Sequence, residues 1–399
     1  MNLKTVRIAL LTTVVAISTN ISAQNSNVVS AAIEYKKYMP AMMQQKMDEA
    51  KEVILEAKSF IDPAMEHEDT KNDEKANYYN GVIYFGLIEL SSQFEDLKEY
   101  QNEETMKKIE SSFKIAREDR KYKREVEDFV DSKVSQAMTF GQMTFQQKKF
   151  DMAYGMFSGA YELQKLIERE DEDMMNNAII SARNYIDTLK KQKENEKAIE
   201  FIQQVSESFP KNSQIAIQGV NVALDMNDME QAEKFFHAAA EADPTNKALF
   251  STMGSIYLAN ADNGFQELQG MDVTDAGYPE KAAEVEELYT KAQDNLKKAI
   301  KIDPQYKDAL YNLGVLYLGR GQKIEKKAKQ MDFNDPNYET TIAKSEEMYK
   351  NAIEPLEAFI EQEPNNAGVL QVLYQVHRRA GNMEEFKAYK KRFDDIQGQ

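Results

Sequence analysis

The residues best spaced for chemistry are two acidic pairs, each an Asp-x-x-Asp in the same local sequence. Asp272 pairs with Asp275, and Asp332 pairs with Asp335. Carboxylate oxygens are the ligands that calcium prefers, but the EF-hand order of acidic ligands, glycine and a distal glutamate is missing. We therefore interpret Asp275 and Asp335 as helix-capping residues in solvated loops. No metal site is expected.

Three histidines are the candidates for imidazole chemistry. His67 falls in a loop, and His237 and His377 fall in separate helical segments. No two of them would share a helix face, as zinc ligands on one helix would. His377 stands where neighbouring segments carry tyrosine, which indicates a packing role.

Nucleophile and cofactor motifs are also absent from the sequence. The chain has no cysteine, which excludes thiol catalysis, disulfides and thiolate metal sites. It contains no serine-nucleophile motif and no phosphate-binding glycine loop. With 67 acidic residues, carboxylate pairs arise by chance, so such pairs are no evidence for a glycosidase. We expect a protein that is not an enzyme and needs no cofactor.

The net charge indicates which partners are disfavoured, and the N-terminal sequence indicates where the protein is located. A net charge of −17 disfavours binding to nucleic acid or to an anionic membrane surface. Lys4 and Arg7 precede an apolar run over residues 8–17, and small residues end at Ala23. This pattern is typical of a cleaved signal peptide, and the run is too short to span a bilayer. We expect a periplasmic or extracellular protein with no membrane anchor after signal removal, since no cysteine could carry a lipid.

One 60-residue unit occurs twice in succession. The copies run from Lys247 to Tyr306 and from Lys307 to Asn366, and they agree at sixteen of sixty positions without a gap. Matching at a fixed period predicts a repeat architecture. The 16 Gly and 9 Pro are too few for a turn-rich all-β fold. The agreements include Gly254/Gly314, Tyr257/Tyr317, Met271/Met331, Tyr278/Tyr338, Tyr289/Tyr349, Ala292/Ala352, Leu296/Leu356 and Pro304/Pro364.

These units resemble the tetratricopeptide repeat (TPR) family, whose 34-residue pattern is W-x2-L-G-x2-Y, then A-x3-F, then P. The resemblance covers about Lys75 to Asp395, although tryptophan is absent throughout. It implies an all-α fold, a TPR-type α-solenoid in which antiparallel helix pairs form a superhelix. The matching segments are Phe250-x2-Met253-Gly254-x2-Tyr257, Leu310-x2-Leu313-Gly314-x2-Tyr317, Ala292-x3-Leu296-x2-Ala299-x4-Pro304 and Ala232-x3-Phe236-x2-Ala239-x4-Pro244.

The two long units and two prolines predict where helices are lengthened and where they end. A 60-residue unit exceeds the family's 34 residues by 26, and the excess lies between the two helices. We expect lengthened helices joined by an acidic loop in both copies. Pro355 falls inside a second helix, which it should kink or shorten. A separate helix is expected from about Ala41 to Ile61, ended by Asp62-Pro63.

The predicted organisation has five parts. Residues 1–23 form the signal peptide and 24–40 a flexible segment. Residues 41–246 form an N-terminal TPR-like array, and 247–366 form the two long units. Residues 367–399 form a partial repeat with capping helices.

The partner-binding residues are predicted from the resemblance. TPR arrays usually bind in a concave groove that the first helix of each pair lines. The set is mostly apolar or neutral and lacks the Lys/Asn/Arg clamp for a peptide carboxylate, so we expect an amphipathic helix or an apolar segment as ligand. Several methionines are interpreted as core filler rather than as a deformable binding surface: Met42, Met43, Met47, Met138, Met143, Met152 and Met156. The groove candidates are Tyr78, Val82, Phe85, Met138, Gln142, Ile217, Asn221, Ser251, Ser255, Tyr311, Val315, Gln371, Gln375 and Arg378.

The sequence thus favours an exported, non-catalytic scaffold that binds protein partners. It would belong to an envelope assembly, secretion or regulatory complex. The alternative is a carbohydrate-binding component of a nutrient-uptake system. The tryptophan platforms and lipidated cysteine usual in such proteins are missing here.

Overall fold

A computed structural model describes residues 25–272 and 274–398. Within these ranges every regular element is a helix. The chain divides into two compact units, the first ending at Asp187 and the second beginning at Thr188. The division falls inside a helix rather than at residue 246, the predicted end of the N-terminal array. The predicted signal peptide lies outside the described residues.

The first unit consists of successive helices joined by short loops, so neighbours pack antiparallel. Asx caps begin several of them: Asp73 Oδ1 accepts from the amide of Ala76 at 2.7 Å, and Asn102 Oδ1 from that of Thr105 at 2.8 Å. Such caps satisfy amides that a helix start leaves unpaired. The elements are α1 (residues 25–43), α2 (Met47–Glu66), α3 (Glu74–Ser91), a 3₁₀ turn (Glu95–Tyr100), α4 (Glu103–Ala116), α5 (Arg120–Gln146), α6 (Phe150–Lys165) and α7 (Glu172–Gln192), whose last residues belong to the second unit.

Helix α1 replaces the flexible segment that was expected over residues 24–40. Ala31 and Tyr38 are almost fully buried, and the Tyr38 hydroxyl donates to Glu89 Oε2 of α3 at 2.9 Å. Apolar residues at helical spacing pack this segment onto the first unit. Burial of this size offsets the entropy lost on ordering the chain. The expectation of flexibility was therefore wrong.

Helix α2 continues through Pro63 to Glu66, so the prediction that Asp62-Pro63 ends it was also wrong. A proline inside a helix removes one hydrogen bond and costs about 3 kcal/mol. Ile61 and Ala64, on either side, are fully buried in the core of the unit. Their packing holds the last helical turn in place despite the proline.

The second unit contains four helix pairs after α8. Both 60-residue units form a long pair, with a seven-residue connection over 271–277 and again over 331–337. The prediction of lengthened helices joined by an acidic loop is confirmed. The helices are α8 (Asn195–Ser208), α9 (Ser213–Asp225), α10 (Met229–Ala242), α11 (Lys247–Gly270), α12 (Tyr278–Ile302), α13 (Lys307–Gln330), α14 (Tyr338–Asn351), α15 (Ile353–Gln362), α16 (Ala367–Ala380) and α17 (Met383–Gln397).

A glycine on one helix lies beneath a bulky side chain of its partner in five pairs. A Cβ added at Gly314 would lie 2.4 Å from Leu356, and one at Gly81 would lie 2.4 Å from Phe113. Only glycine permits this approach. The all-α, TPR-type arrangement of antiparallel helix pairs is confirmed. The five contacts are Gly81/Phe113, Gly141/Phe157, Gly219/Phe235, Gly254/Leu296 and Gly314/Leu356.

Pro355 has the predicted effect on the second long pair. The segment that forms one helix, α12, in the first copy is divided into α14 and α15 in the second. The division lies at Ala352, just before the proline, whose missing N–H cannot bond the carbonyl of Asn351. The first copy has Asn295 at the corresponding position.

Tyrosine–carboxylate–cation bridges join successive pairs of the second unit. Glu325 of α13 accepts from the Tyr349 hydroxyl at 2.8 Å and from Arg379 Nη1 of α16 at 3.0 Å. One pair earlier, Asp262 accepts from the Tyr289 hydroxyl at 2.7 Å and also contacts Lys323. Each bridge contacts three helices and so sets the register of one pair on the next.

Candidate binding surfaces

The groove candidates of the first unit are mostly covered. Val82 is fully buried and Tyr78 nearly so, while Phe85 and Met138 are half-buried. Tyr78 packs against Tyr122 with ring centres 5.8 Å apart. Neighbouring side chains of α1 and α5 cover this face of α3, so Tyr78 and Val82 cannot line an open groove as predicted. Gln142 of α5 is exposed.

In the second unit the exposed groove candidates are mainly polar. Ser251 is buried, and Ser255, which is half-buried, accepts a 2.7 Å hydrogen bond from Asn312 Nδ2. Ser255 thus joins α11 to α13, and Ser251 is not accessible to a partner because it is buried. Ile217 and Val315 are half-buried. The exposed candidates are Asn221, Tyr311, Gln371, Gln375 and Arg378.

Four large apolar side chains are instead exposed on the pair α5/α6, namely Phe140 and Met143 of α5 and Met152 and Met156 of α6. Their exposed fractions are 53%, 45%, 50% and 38%. Residues three or four apart share a helix face, so each helix presents two of these side chains together. We call these four residues the α5–α6 surface. The interpretation of Met143, Met152 and Met156 as core filler was wrong, as it was for Met43, which is 79% exposed.

The sequence of this surface is marked by a lack of charge as well as by its periodicity. Residues 135–147 carry no charge, and neither do residues 152–161, although 29% of the chain is charged. A solvated helix normally carries charges on its outer face. The core of the pair uses other positions, such as Gly141, Phe157 and Ala160. Uncharged stretches of similar length also occur over residues 76–88 and 248–261, so this pair is distinguished by the exposure of its apolar side chains.

The two loops of the long pairs form the same turn. Asp272 Oδ1 accepts from the amide of Thr274 at 2.9 Å, and Asp332 Oδ1 accepts from that of Asn334 at 2.8 Å. The next turn is also repeated, since the carbonyls of both Asp275 and Asp335 accept from the amide three residues later. Loop geometry thus accounts for the matching aspartates.

The prediction that Asp275 and Asp335 cap helices was wrong. The cap positions of α12 and α14 are Gly277, which has no side chain, and Asn337, whose side chain makes no capping hydrogen bond. The carboxylate of Asp275 accepts from the amide of Asp272 at 3.1 Å, and that of Asp335 from the amide of Asn337 at 2.8 Å. Both carboxylates are used within the loop.

His377 is a packing residue, as predicted. Only 2% of it is exposed, its ring stacks on Tyr389 at 5.3 Å, and Nε2 lies 3.1 Å from Glu357 Oε1. Across residues 25–272 and 274–398, no three His, Asp or Glu side chains form a group that could hold a metal ion. In the same part of the chain, no helix combines the length and apolarity needed to cross a bilayer.

Comparison with known proteins identifies one repeat directly. Residues 288–321 match the sequence model of the TPR repeat family. They include the second half of α12 and the first half of α13, the junction between the two 60-residue units. A TPR repeat within an array of antiparallel helix pairs is the architecture of a protein-interaction scaffold.

Three further proteins are similar to parts of this chain, one in sequence and two in solved structure. The Transcription factor tau 131 kDa subunit of Saccharomyces cerevisiae is 28% identical over 172 residues, which is 40% of this chain and 16% of that protein. A TPR repeats protein from Bacteroides fragilis is 21% identical, with a TM-score of 0.38 over 62% of this chain and 98% of that one. YrrB, described as a TPR protein with an unusual peptide-binding site, is 17% identical, with a TM-score of 0.35 over 55% of this chain and 87% of that one.

Proposed function

We propose that this chain is an exported, non-catalytic scaffold that binds a protein partner through the α5–α6 surface. The observation that carries the proposal is the exposure of four large apolar side chains on one helix pair within uncharged stretches. Apolar side chains that cluster at a surface mark sites of association. Scaffold binding is also the role that the repeat fold supports.

The proposed occupant is the apolar face of an amphipathic helix in the partner. Methionine is unbranched and flexible, so Met143, Met152 and Met156 can adapt to the ridge of a docked helix. The surface contains no charge that would have to be desolvated on binding. The outer side of the docked helix would be polar, and basic residues there would be attracted by the net charge of −17.

The place of action in the proposal is the periplasm or the cell exterior. Its support is the sequence pattern of residues 1–23, with Lys4 and Arg7 before the apolar run. A scaffold there would hold components of an envelope assembly, secretion or regulatory complex. N-terminal sequencing of the protein from an envelope fraction should give Gln24 as the first residue. A chain that retains Met1 in the cytoplasm would contradict this part of the proposal.

Site-specific photocrosslinking in the cells of origin tests the binding surface. A photoreactive residue at Met152 or Met156 should yield a protein adduct of defined mass. The same residue at Met43, a methionine at the end of α1 that is more exposed still (79%), serves as the control. Adducts of equal yield at Met43 would contradict the proposal, and so would adducts that contain only a second copy of this chain.

Substitution provides the quantitative test with the captured partner. Met143→Ser, Met152→Ser and Met156→Ser together should weaken binding at least about tenfold, which is about 1.4 kcal/mol. Each substitution should change the free energy of unfolding by less than about 0.5 kcal/mol, because the side chains are exposed. Met43→Ser should change neither quantity. Unchanged partner binding by the triple variant would refute the assignment of the surface.

A further inference from the structure

The first unit contains a polar pocket between α2, α3 and α4, apart from the α5–α6 surface. Its volume is about 490 Å³, within the usual range of small-molecule sites, about 300 to 1,000 Å³. Met65 of α2 and Ile115 of α4 are its apolar lining residues, and the rest of the lining is polar. The polar residues that matter for the argument are Asp62, Glu66, Asn77, Asn80, Lys108 and Ser112.

Two asparagines occupy helix positions that are apolar in the long units. Counted from the packed glycine Gly81, Asn77 and Asn80 correspond to Phe250 and Met253 before Gly254. In the second unit Phe250 and Met253 are buried core residues. The shorter asparagine side chains leave space at this seam and place amide groups at its wall. The pocket therefore follows from a local departure from the repeat pattern.

Asn80 has an unsatisfied polar atom. Its side chain is 99% buried, its Nδ2 donates to Ser112 Oγ at 2.8 Å, and its Oδ1 has no hydrogen-bond partner. If the amide were turned over, Ser112 would pair with the oxygen and leave the nitrogen without a partner. Buried polar groups are almost always paired. An orphaned amide atom in a pocket wall thus indicates a place for a ligand.

Lys108 is the second group in the pocket that has hydrogen-bonding capacity left. Its Nζ lies 3.9 Å from Asp62 Oδ1, beyond hydrogen-bond distance, and 3.8 Å above the ring of Tyr84. Burial lowers the pKa of this lysine. Asp62 is occupied by the Tyr84 hydroxyl at 2.8 Å and by Lys58 Nζ at 2.6 Å. The ammonium group of Lys108 therefore has donor capacity left for a ligand.

We propose that this pocket binds a neutral sugar residue. Its lining includes the amide group of Asn80 on α3 and the ammonium of Lys108 on α4, together with serine hydroxyls and carboxylates. Asp62 and Glu66 balance Lys71 and Lys108 in formal charge, so a neutral ligand is favoured. A sugar hydroxyl donates and accepts at once, and can pair with both kinds of group. Met65 and Ile115 supply apolar contact for the ring carbons. The proposal does not depend on the α5–α6 surface.

The test is isothermal calorimetry and NMR titration of the mature protein with glucose, galactose, mannose, N-acetylglucosamine and cellobiose. Glycine, alanine and trialanine serve as zwitterionic and peptide probes. Saturable binding of at least one sugar, with the Asn80 side-chain amide resonances shifting, is expected. No saturable binding of any sugar up to about 20 mM, or saturable binding of the amino acids or peptide alone, would overturn the proposal.

Two pocket variants test whether the sugar binds in this pocket. Asn77→Phe with Asn80→Met introduces the residues of the corresponding positions in the second unit and should reduce sugar affinity at least about tenfold. Lys108→Met tests the same site without adding bulk and should also weaken binding, while Gln142→Ala on α5 should not. Circular dichroism verifies folding. Sugar binding that survives in both pocket variants would refute the assignment. Crosslinking from Met152 should persist in these variants, so the two proposals fail separately.

Discussion

Replacing Glu325 by glutamine tests the bridge between the last repeats. Its carboxylate accepts from Lys329 Nζ at 2.8 Å, Arg379 Nη1 at 3.0 Å and the Tyr349 hydroxyl at 2.8 Å. These hydrogen bonds, that from Lys329 first, lower the pKa of Glu325 from 4.5 to about 2. Such a change would correspond to about 3 kcal/mol of stability for a carboxylate shielded from water. Solvent reaches this one, so we expect about 1 to 2 kcal/mol.

The sign of the pH dependence follows from the lowered pKa. The contribution of Glu325 is fully present above the pKa of the unfolded chain, near 4.5, and is lost as pH falls toward about 2. The assay is urea unfolding of the wild type and of Glu325→Gln between pH 7 and pH 2.5, followed by circular dichroism. The difference in unfolding free energy should be largest near pH 7 and shrink below pH 4.5.

Glu347→Gln is the matched control, because Glu347 is an exposed carboxylate on the adjacent helix α14. This substitution should leave the unfolding free energy within about 0.5 kcal/mol of the wild type at every pH. A gap between Glu325→Gln and wild type that stays constant from pH 7 to pH 2.5 would refute the electrostatic account. In that case the loss would come from packing or from neutral hydrogen bonds.

Two further predictions concern helix packing in the second unit. Gly314→Ala places a Cβ 2.4 Å from the buried Leu356 and should destabilise the protein by about 1 to 3 kcal/mol. Gly319→Ala in the same helix meets open space and should stabilise it by up to about 1 kcal/mol; equal effects in urea titrations would contradict the close-approach argument. Pro355→Asn restores the residue type of Asn295 and should fuse α14 with α15. Slower amide hydrogen exchange across residues 351–356 would verify the fusion, and exchange as fast as in wild type would contradict it.

The repeat frame was readable from the sequence because it depends on local residue types at fixed spacing. Gly254 and Gly314 mark where two helices approach, and Pro355 marks where a helix must break. The duplicated unit also predicted its own long helices and short loop, since both copies carry the same turn residues. In each case the reason is a property of one residue and its neighbours in the chain, such as a missing Cβ or a missing N–H.

The binding surfaces could be predicted only in part. Periodicity showed which residues of α3 face away from its pair partner, but not that α1 and α5 side chains cover Tyr78. Residue type alone assigns Met152 and Met156 to the core, because methionine is more often buried than exposed. The lack of charge over residues 135–147 was the available signal, and only exposure in the folded unit gave it meaning.

The sequence by itself determined the all-α repeat class, the helix pairs and the break before Pro355. Tertiary structure alone decided that α1 is ordered, that α2 continues through Pro63, and that Asn77 and Asn80 line a pocket. It also decided which apolar side chains remain exposed. The physical reason is that burial depends on what packs against a face from distant parts of the chain, whereas helix formation and close approach depend on neighbouring residues.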